Sequence, residues 1–448
     1  MYRTFTCVVI FFAISGLLLA APSKTDPLPR RGFFGAGVSP VPDSLHGKNG
    51  IPETGAVQIV KVTPASSAEQ AGLKIGDILL SADHQPLTTA QDLPPILKKF
   101  RGGDKLDLVL LQNGKPKTKR ITLKPFPKDS SPDFDVIYES VQIGQSLRRI
   151  IITKPHRTGP LPVVVMLGGL GCYSLDLLPE QVHPYKTLIY EFARNGYVTV
   201  RVEKTGQGDS EGPPCSEQTF RDEVDGLITA IRSLSRFDYM DMNRLILLGH
   251  SMGGVEAPMV ASEIPAKGII AIATTGIGWF EYEMINQRRQ LVLQKMDYDS
   301  IEMAATKKEL AMHKLLVLKQ TPDEISRQDS TLTEYLSYPV DYRFIQELND
   351  LNLAHEWKKV SAKVLLVYGT ADFVTAASEH RYARDMINSY HPGQAEYVEV
   401  PEMDHFFIKV PTEQASFDNS MQGSPNREFS SNVLPVVVEW AKKLTATP

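Results

Sequence analysis

Leu245-Ile246-Leu247-Leu248-Gly249-His250-Ser251-Met252-Gly253-Gly254 is the stretch on which the fold turns. Four consecutive apolar residues read as a buried strand, and Met252–Glu263 beyond them has the pattern of a helix. Between the two lies a G-x-S-x-G pattern. Its letters recur by chance, but a strand before and a helix after supply the context in which the pattern means something. A turn that sharp strains the backbone at the serine and leaves no room for side chains at its flanks, so glycines are required there. The turn lifts the Ser251 hydroxyl above a sheet and sets it at the start of a helix.

Working outward, apolar runs too continuous for one-sided strands alternate with helical segments from about residue 135. The strands are expected at Val163–Leu167, Val198–Val202, Leu245–Leu248, Ile269–Ala273, Val364–Tyr368 and Tyr397–Val400. Helices are expected at Tyr185–Asn195, Glu217–Ser235 and Met252–Glu263, with a last one over Val433–Leu444. Runs buried on both faces and separated by helices imply a mostly parallel, doubly wound α/β sheet. Val136–Ile143 and Leu147–Thr153 read as an antiparallel opening pair at its edge. Residues 279–357 are charged, helix-prone and free of strand signal, and read as a helical cap inserted between two sheet strands. Pro411 to Asn432 reads as a long exposed loop.

A serine hydroxyl is a weak nucleophile and needs a base, with a carboxylate to orient that base. The order on such a sheet is Ser, then Asp or Glu, then His, each after its own strand. Gly369-Thr370-Ala371-Asp372 follows Val364–Tyr368, so Asp372 is the candidate acid, with Glu379 and Asp341 as rivals. Pro401-Glu402-Met403-Asp404-His405 follows Tyr397–Val400, so His405 is the candidate base. His391 precedes that strand and His380 falls within a helical pattern. Asp404 reads as a residue that caps or orients the His405 loop. An oxyanion needs two backbone N–H groups. One is expected from Met252. The other is expected from the loop Leu167-Gly168-Gly169-Leu170-Gly171, with Leu170 favoured and Gly169 the alternative. No metal-ligand spacing or phosphate loop stands in the chain, and no metal or cofactor is expected.

These motifs resemble the α/β-hydrolase superfamily over about residues 135–448, and the exported bacterial esterase- and peptidase-like branch in particular. Glu203-Lys204-Thr205-Gly206-Gln207-Gly208-Asp209-Ser210-Glu211-Gly212 is similar to the loop after the fourth strand in that branch. The resemblance implies a Ser251, Asp372, His405 triad acting through an acyl-enzyme on a small ester or peptide. It departs from the family at Leu167, where a histidine commonly precedes the oxyanion glycine. Residues 33–126 are similar to a small, mainly β PDZ domain. The resemblance is carried by Phe34-Gly35-Ala36-Gly37-Val38, Val62-Thr63-Pro64-Ala65-Ser66-Ser67-Ala68 and Ala71-Gly72-Leu73-Lys74-Ile75-Gly76-Asp77-Ile78-Leu79. It implies capture of a peptide C-terminus, with Phe34, Gly35, Ala36 and Gly37 forming the carboxylate-binding loop. Asn113-Gly114 signals a two-residue hairpin inside this block.

Two further readings complete the organisation. Arg3, the apolar run Val8 to Ala20 and the small pair Ala20-Ala21 read as a signal peptide over residues 1–21, so the protein is expected to be exported, periplasmic or secreted, with no stable membrane span. Cys7 leaves with it. The remaining pair, Cys172 and Cys215, suggests one disulfide, and the resemblance places both on neighbouring loops beside the active site, where a bridge would stiffen the oxyanion loop. Pro22 to Arg31 and Pro127 to Pro132 read as linkers. The 448 residues are 42% hydrophobic and 22% charged, with a net charge of −4, which suits a multidomain globular chain and gives no reason to expect a nucleic-acid partner.

Overall fold

A computed structural model describes residues 27–48, 50–423 and 427–446; the signal-peptide reading lies outside the described residues. The larger part is built on eight strands: β1 (Phe134–Ile143), β2 (Ser146–Pro155), β3 (Leu161–Leu167), β4 (Val198–Val202), β5 (Met240–His250), β6 (Gly268–Ile272), β7 (Lys363–Gly369) and β8 (Ala395–Val400). They lie side by side in the order β8-β7-β6-β5-β3-β4-β2-β1. Every pairing from β4 through β3 to β8 is parallel, while β2 runs antiparallel to both β1 and β4. This is the mostly parallel α/β sheet expected, with its antiparallel pair at the edge.

Side-chain alternation explains the continuous apolar runs. Val163, Val165, Leu167, Leu245, Leu247, Val364 and Leu366 enter one hydrophobic core. Their neighbours Val164, Met166, Ile246, Leu248, Leu365 and Val367 enter a second core on the opposite face. Each face is closed by helices, so both registers must be apolar. The helices used below are α1 (Pro184–Arg194), α2 (Phe220–Arg232), α3 (Met252–Glu263), α4 (Trp279–Leu293), α5 (Ala377–Tyr390) and α6 (Glu413–Gln422). The expected helix Glu217–Ser235 starts later, at Phe220, because Thr219 caps it: its side chain accepts from Asp222 N while Asp222 reciprocates. Five α-helices, a π-helical turn and a 3-10 segment fill the stretch from Trp279 to Lys358, between β6 and β7. Among the described residues no helix is long and apolar enough to cross a membrane.

The N-terminal part is a separate small sheet with its own core around Val57, Ile59, Leu79, Leu106 and Leu108. Its hairpin turns at Asn113 and Gly114, both with positive φ (53° and 71°), between strands Lys105–Gln112 and Lys115–Thr122. That is the conformation Asn-Gly supplies at least cost.

Three expectations are corrected. The segment ending at Arg31 is no loose linker. Leu28 is buried, Arg30 Nη1 pairs with Asp176 Oδ2 at 2.7 Å and with Asp209, and Arg31 N donates to Asp209 Oδ1 at 2.8 Å. Buried Arg149 completes this charge knot through Asp209 at 3.0 Å and the Leu28 carbonyl at 2.9 Å. The second linker is docked too: Asp129 is buried and accepts from Tyr190 Oη, while Lys186 and Arg201 pair with it. The stretch from Pro411 to Asn432 holds a helix, α6, in place of an uninterrupted loop. Its polar composition hid it, since only Ser416 and Phe417 are buried.

Candidate active site

Ser251 stands between β5 and α3 with φ 54° and ψ −116°, a backbone conformation that L residues seldom adopt. Contacts hold it there. Ser251 N donates to Ile272 O at 2.9 Å, and the Ser251 carbonyl accepts from Gly254 N and from Thr274 Oγ1, both at 3.0 Å. The flanking glycines fit the sequence argument. A methyl group on Gly249 would meet the Gly253 carbonyl carbon at 2.6 Å. One on Gly253 would meet the Leu167 carbonyl carbon at 2.6 Å and the Gly168 oxygen at 2.9 Å. The turn therefore abuts the end of β3, from which the glycine loop departs.

The structure brings Ser251, His405 and Asp372 together. Ser251 Oγ lies 3.1 Å from His405 Nε2, and His405 Nδ1 lies 3.0 Å from Asp372 Oδ2. We assign the ring proton to Nδ1, because a carboxylate only accepts. Asp372 is completely buried and also accepts from Val374 N (2.7 Å), Thr375 N (2.8 Å) and Thr375 Oγ1 (2.6 Å). Burial alone would raise its pKa. The His405 interaction and these hydrogen bonds outweigh burial and hold it at about 2. The site's acid is thus ionised across the physiological range.

The rivals lie elsewhere. Asp341 caps another helix and pairs with Arg343. His391 bonds to the Lys358 carbonyl. Glu379, on α5, is buried away from His405, and burial raises its pKa to about 7 against the pull of Arg289. His380, also on α5, is buried, with Nε2 accepting from Thr274 N at 3.0 Å, and burial lowers its pKa to about 4. Asp404 organises the base loop: its carboxylate accepts from Phe406 N, Ile408 N and Ser416 Oγ.

Met252 begins α3, and its N–H is among those a helix start leaves without an intrahelical acceptor. Across from it, the Gly169 N–H donates to Tyr185 Oη at 3.2 Å, and the Gly169 carbonyl accepts from Tyr173 Oη (3.1 Å) and Lys204 Nζ (2.9 Å). The Lys204 ammonium is buried against Glu223 at 2.6 Å. A disulfide joins Cys172 to Cys215, with Cα atoms 5.6 Å apart, so the glycine loop is also tethered to the chain beyond Gly212.

A cavity of about 690 Å³ opens over Ser251, walled by Leu170, Val255, Trp279, Tyr282, Phe406 and Phe407 among others. Trp279 and Tyr282 come from α4. That helix is anchored to the acid's own loop: Tyr282 Oη donates to Val374 O at 3.2 Å, and Arg289 donates to Asp372 O at 3.1 Å while pairing with Glu413 of α6. Sequence reasoning did not single out Tyr173, Tyr185, Trp279, Tyr282 or Arg289. They come from three segments outside the quoted motifs, the loop after β3, α1 and α4; only His250 and Lys204 sat inside quoted motifs. Among the described residues no group of three His, Cys, Asp or Glu side chains is arranged to hold a metal ion.

In the N-terminal domain, Phe34 is buried and its carbonyl accepts from Ala68 N at 2.9 Å. Gly35 has φ 73°, and a methyl there would meet Ser66 Oγ at 2.8 Å. Ala36 and Gly37 open the strand Ala36–Pro40, which lies at the sheet margin beside Val57–Val62 and, among the described residues, has no strand on its other edge.

The family described as "Serine aminopeptidase, S33" matches residues 178–409, and "PDZ domain" matches residues 34–123. A probable periplasmic serine endoprotease, DegP-like, from Marinomonas sp. is 32% identical over 128 residues, covering 29% of this chain and 26% of that protein. Esterase EstD from Thermotoga maritima is 24% identical over 241 residues, covering 52% of each chain. The chain thus spans about a quarter to a half of the length of these curated relatives. Among solved structures, Est1E from Butyrivibrio proteoclasticus is similar at TM-score 0.44 and 14% identity, covering 70% of this chain and 99% of that one.

Proposed function

Because the chain belongs to the serine aminopeptidase S33 family of α/β-hydrolases, we propose that it is a serine hydrolase that cleaves carboxylic esters through an acyl-enzyme on Ser251. The observation that carries this reading is the unbroken Ser251–His405–Asp372 hydrogen-bond chain at the floor of the apolar cavity. His405 Nε2 takes the Ser251 proton as Oγ attacks the carbonyl carbon. Asp372 holds the imidazole in the tautomer that can accept it and stabilises the imidazolium that forms. The N–H groups of Met252 and Leu170 receive the developing oxyanion, since the Gly169 N–H is already given to Tyr185. His405 returns the proton to the leaving alcohol, then activates water to release the acyl group.

The wall is mostly apolar and carries Arg427 as well as Asp404, which supports an apolar acyl group with no positive charge. An aminopeptidase must hold a free ammonium, and Asp404, the acidic residue on the wall, has its oxygens taken by Phe406, Ile408 and Ser416. The family description favours a second reading, cleavage of peptide amides in the same site. For the N-terminal domain we propose capture of a peptide C-terminus along Ala36–Pro40, with Phe34 to Gly37 as the carboxylate loop. The disulfide and the periplasmic relatives matched over the PDZ region support an exported protein.

A fluorophosphonate probe tests the nucleophile: it should label the folded protein at Ser251 and fail to label Ser251→Ala. A panel of p-nitrophenyl acyl esters set against aminoacyl and acyl-peptidyl amides then separates the two readings. Turnover of unblocked aminoacyl amides ahead of the esters would overturn the ester reading.

A further inference from the structure

His250, the variable residue of the G-x-S-x-G turn, is buried and touches two other parts of the site. Its Nε2 lies 2.8 Å from the His405 carbonyl, and its Nδ1 lies 2.6 Å from Tyr185 Oη. The proton positions follow from the partners. A carbonyl oxygen only accepts, so Nε2 carries the hydrogen. Burial lowers the His250 pKa to about 3, so the ring is neutral and Nδ1 is bare. Tyr185 Oη therefore spends its one hydrogen on Nδ1. What remains on that oxygen is acceptor capacity, and the Gly169 N–H fills it at 3.2 Å. Tyr173 lies 3.3 Å away but donates to the Gly169 carbonyl instead.

The result is a directed chain: Gly169 N–H to Tyr185 Oη, Tyr185 O–H to His250 Nδ1, and His250 Nε2–H to the His405 carbonyl. It ties the glycine loop after β3, the nucleophile turn and the base loop together through one tyrosine on α1. Every donor in it has one acceptor, so no member can rotate without stranding a buried polar group. The chain also grips Gly169 by its N–H while Tyr173 and Lys204 grip its carbonyl.

We propose that Tyr185 is a positioning residue for hydrolysis: with its hydroxyl oriented by His250, it fixes the Gly169 peptide directly, so that the following N–H, that of Leu170, is the one presented to the oxyanion. The inference rests on the proposed role of Ser251. Tyr185 touches no reacting atom, and its effect is confined to the step in which negative charge develops.

Tyr185→Phe keeps the ring and its edge contacts to His250 and Phe407 and deletes the hydroxyl. The expected result on a p-nitrophenyl ester is a kcat lower by ~30-fold, below the loss for deleting a hole donor outright, with KM within about twofold. Binding of a trifluoromethyl ketone, a tetrahedral mimic, should weaken by the same factor. His250→Gln breaks the same chain from its other end. The double variant should be no worse than either single one, because links of one chain fail together. A Tyr185→Phe enzyme with kcat within twofold of the parent, a change confined to KM, or additive losses in the double variant would each overturn the proposal. Should the variants not fold, a structure of the unmodified protein with the ketone decides: Leu170 N–H on the oxyanion with Gly169 N–H still on Tyr185 supports it, and Gly169 N–H swung onto the ligand refutes it. An unmodified protein that resists fluorophosphonate removes the nucleophile reading first. A labelled protein indifferent to Tyr185→Phe removes only this inference.

Discussion

Gly253→Ala isolates one geometric requirement of the site. Ordinary contact with a Cβ begins at about 3.4 Å, and the added methyl would stand 2.6 Å from the Leu167 carbonyl carbon and 2.9 Å from the Gly168 oxygen. Both neighbours are backbone, one at the end of β3 and one at the start of the glycine loop, so neither can rotate away. Because the Leu167 oxygen stands nearer still, relief requires the Ser251 turn and the loop to separate by about 1 Å. That separation would draw the Ser251 turn away from the loop that carries Leu170, whose N–H is proposed to share the oxyanion with that of Met252. A displacement of this order costs ~10²-fold in kcat, whereas overpacking of this kind costs stability only about 1–3 kcal/mol. The expected variant is therefore folded, labelled slowly by fluorophosphonate and poor in kcat, with KM little changed. Steady-state kinetics on a p-nitrophenyl ester, corrected for active fraction, and a thermal melt measure both quantities. Gly278→Ala is the control: nothing stands within 4 Å of its Cβ, and its φ of −62° suits any residue. A folded Gly253→Ala enzyme with kcat within twofold of the parent would refute the packing argument.

Three more outcomes are expected. Asp372→Asn should retain the fold, since the amide oxygen still accepts from Val374 and Thr375, yet lose ~10⁴-fold in kcat because the amide N–H opposes His405 Nδ1 and favours the wrong tautomer; a loss under tenfold counts against the triad. The Cys172–Cys215 bridge closes a separation of 43 residues, for which chain entropy gives about 4 kcal/mol; the double Cys→Ser variant should melt well below the parent and lose kcat, and identical melting curves would contradict this. Glu379 carries a pKa raised by burial from 4.5 to about 7, so its folded form binds a proton more tightly than its unfolded form. Its contribution is full below about pH 4.5 and is lost as pH rises through about 7, roughly 3 kcal/mol in all. Glu379→Gln should flatten that part of the stability profile measured by urea titration, and an unchanged slope would show that the group does not titrate there.

The sheet was legible because its strands are buried on both faces. Val198–Val202 and Met252–Glu263 coincide with the observed elements residue for residue, as expected where apolar runs or glycine turns mark the ends. That Ser251, Asp372 and His405 would converge was legible because strand order fixes where such residues must stand. The hydrogen-bond partners of Gly169 were not. Tyr185 reaches His250 across 65 residues of chain, and nothing in the local pattern of α1 distinguishes a tyrosine that points at the Ser251 turn from one that fills a core. Helix α6 was missed because it packs by few apolar side chains, and Arg30 because a proline- and charge-rich stretch looks the same whether it dangles or docks.

That docked stretch bears on how the chain could be cut or recombined. By sequence, Leu28 to Arg31 is the end of a linker ahead of the PDZ-like part. By contact it is a strut of the hydrolase, lodged against Asp176 and Asp209, whose side chains are fully buried. A graft that replaced everything before residue 134 would carry the strut away, leaving Asp176 without Arg30 and Asp209 with Arg149 in place of two arginines. The two halves are therefore not interchangeable cassettes: the seam that preserves the hydrolase runs ahead of Leu28, on the far side of the PDZ-like domain.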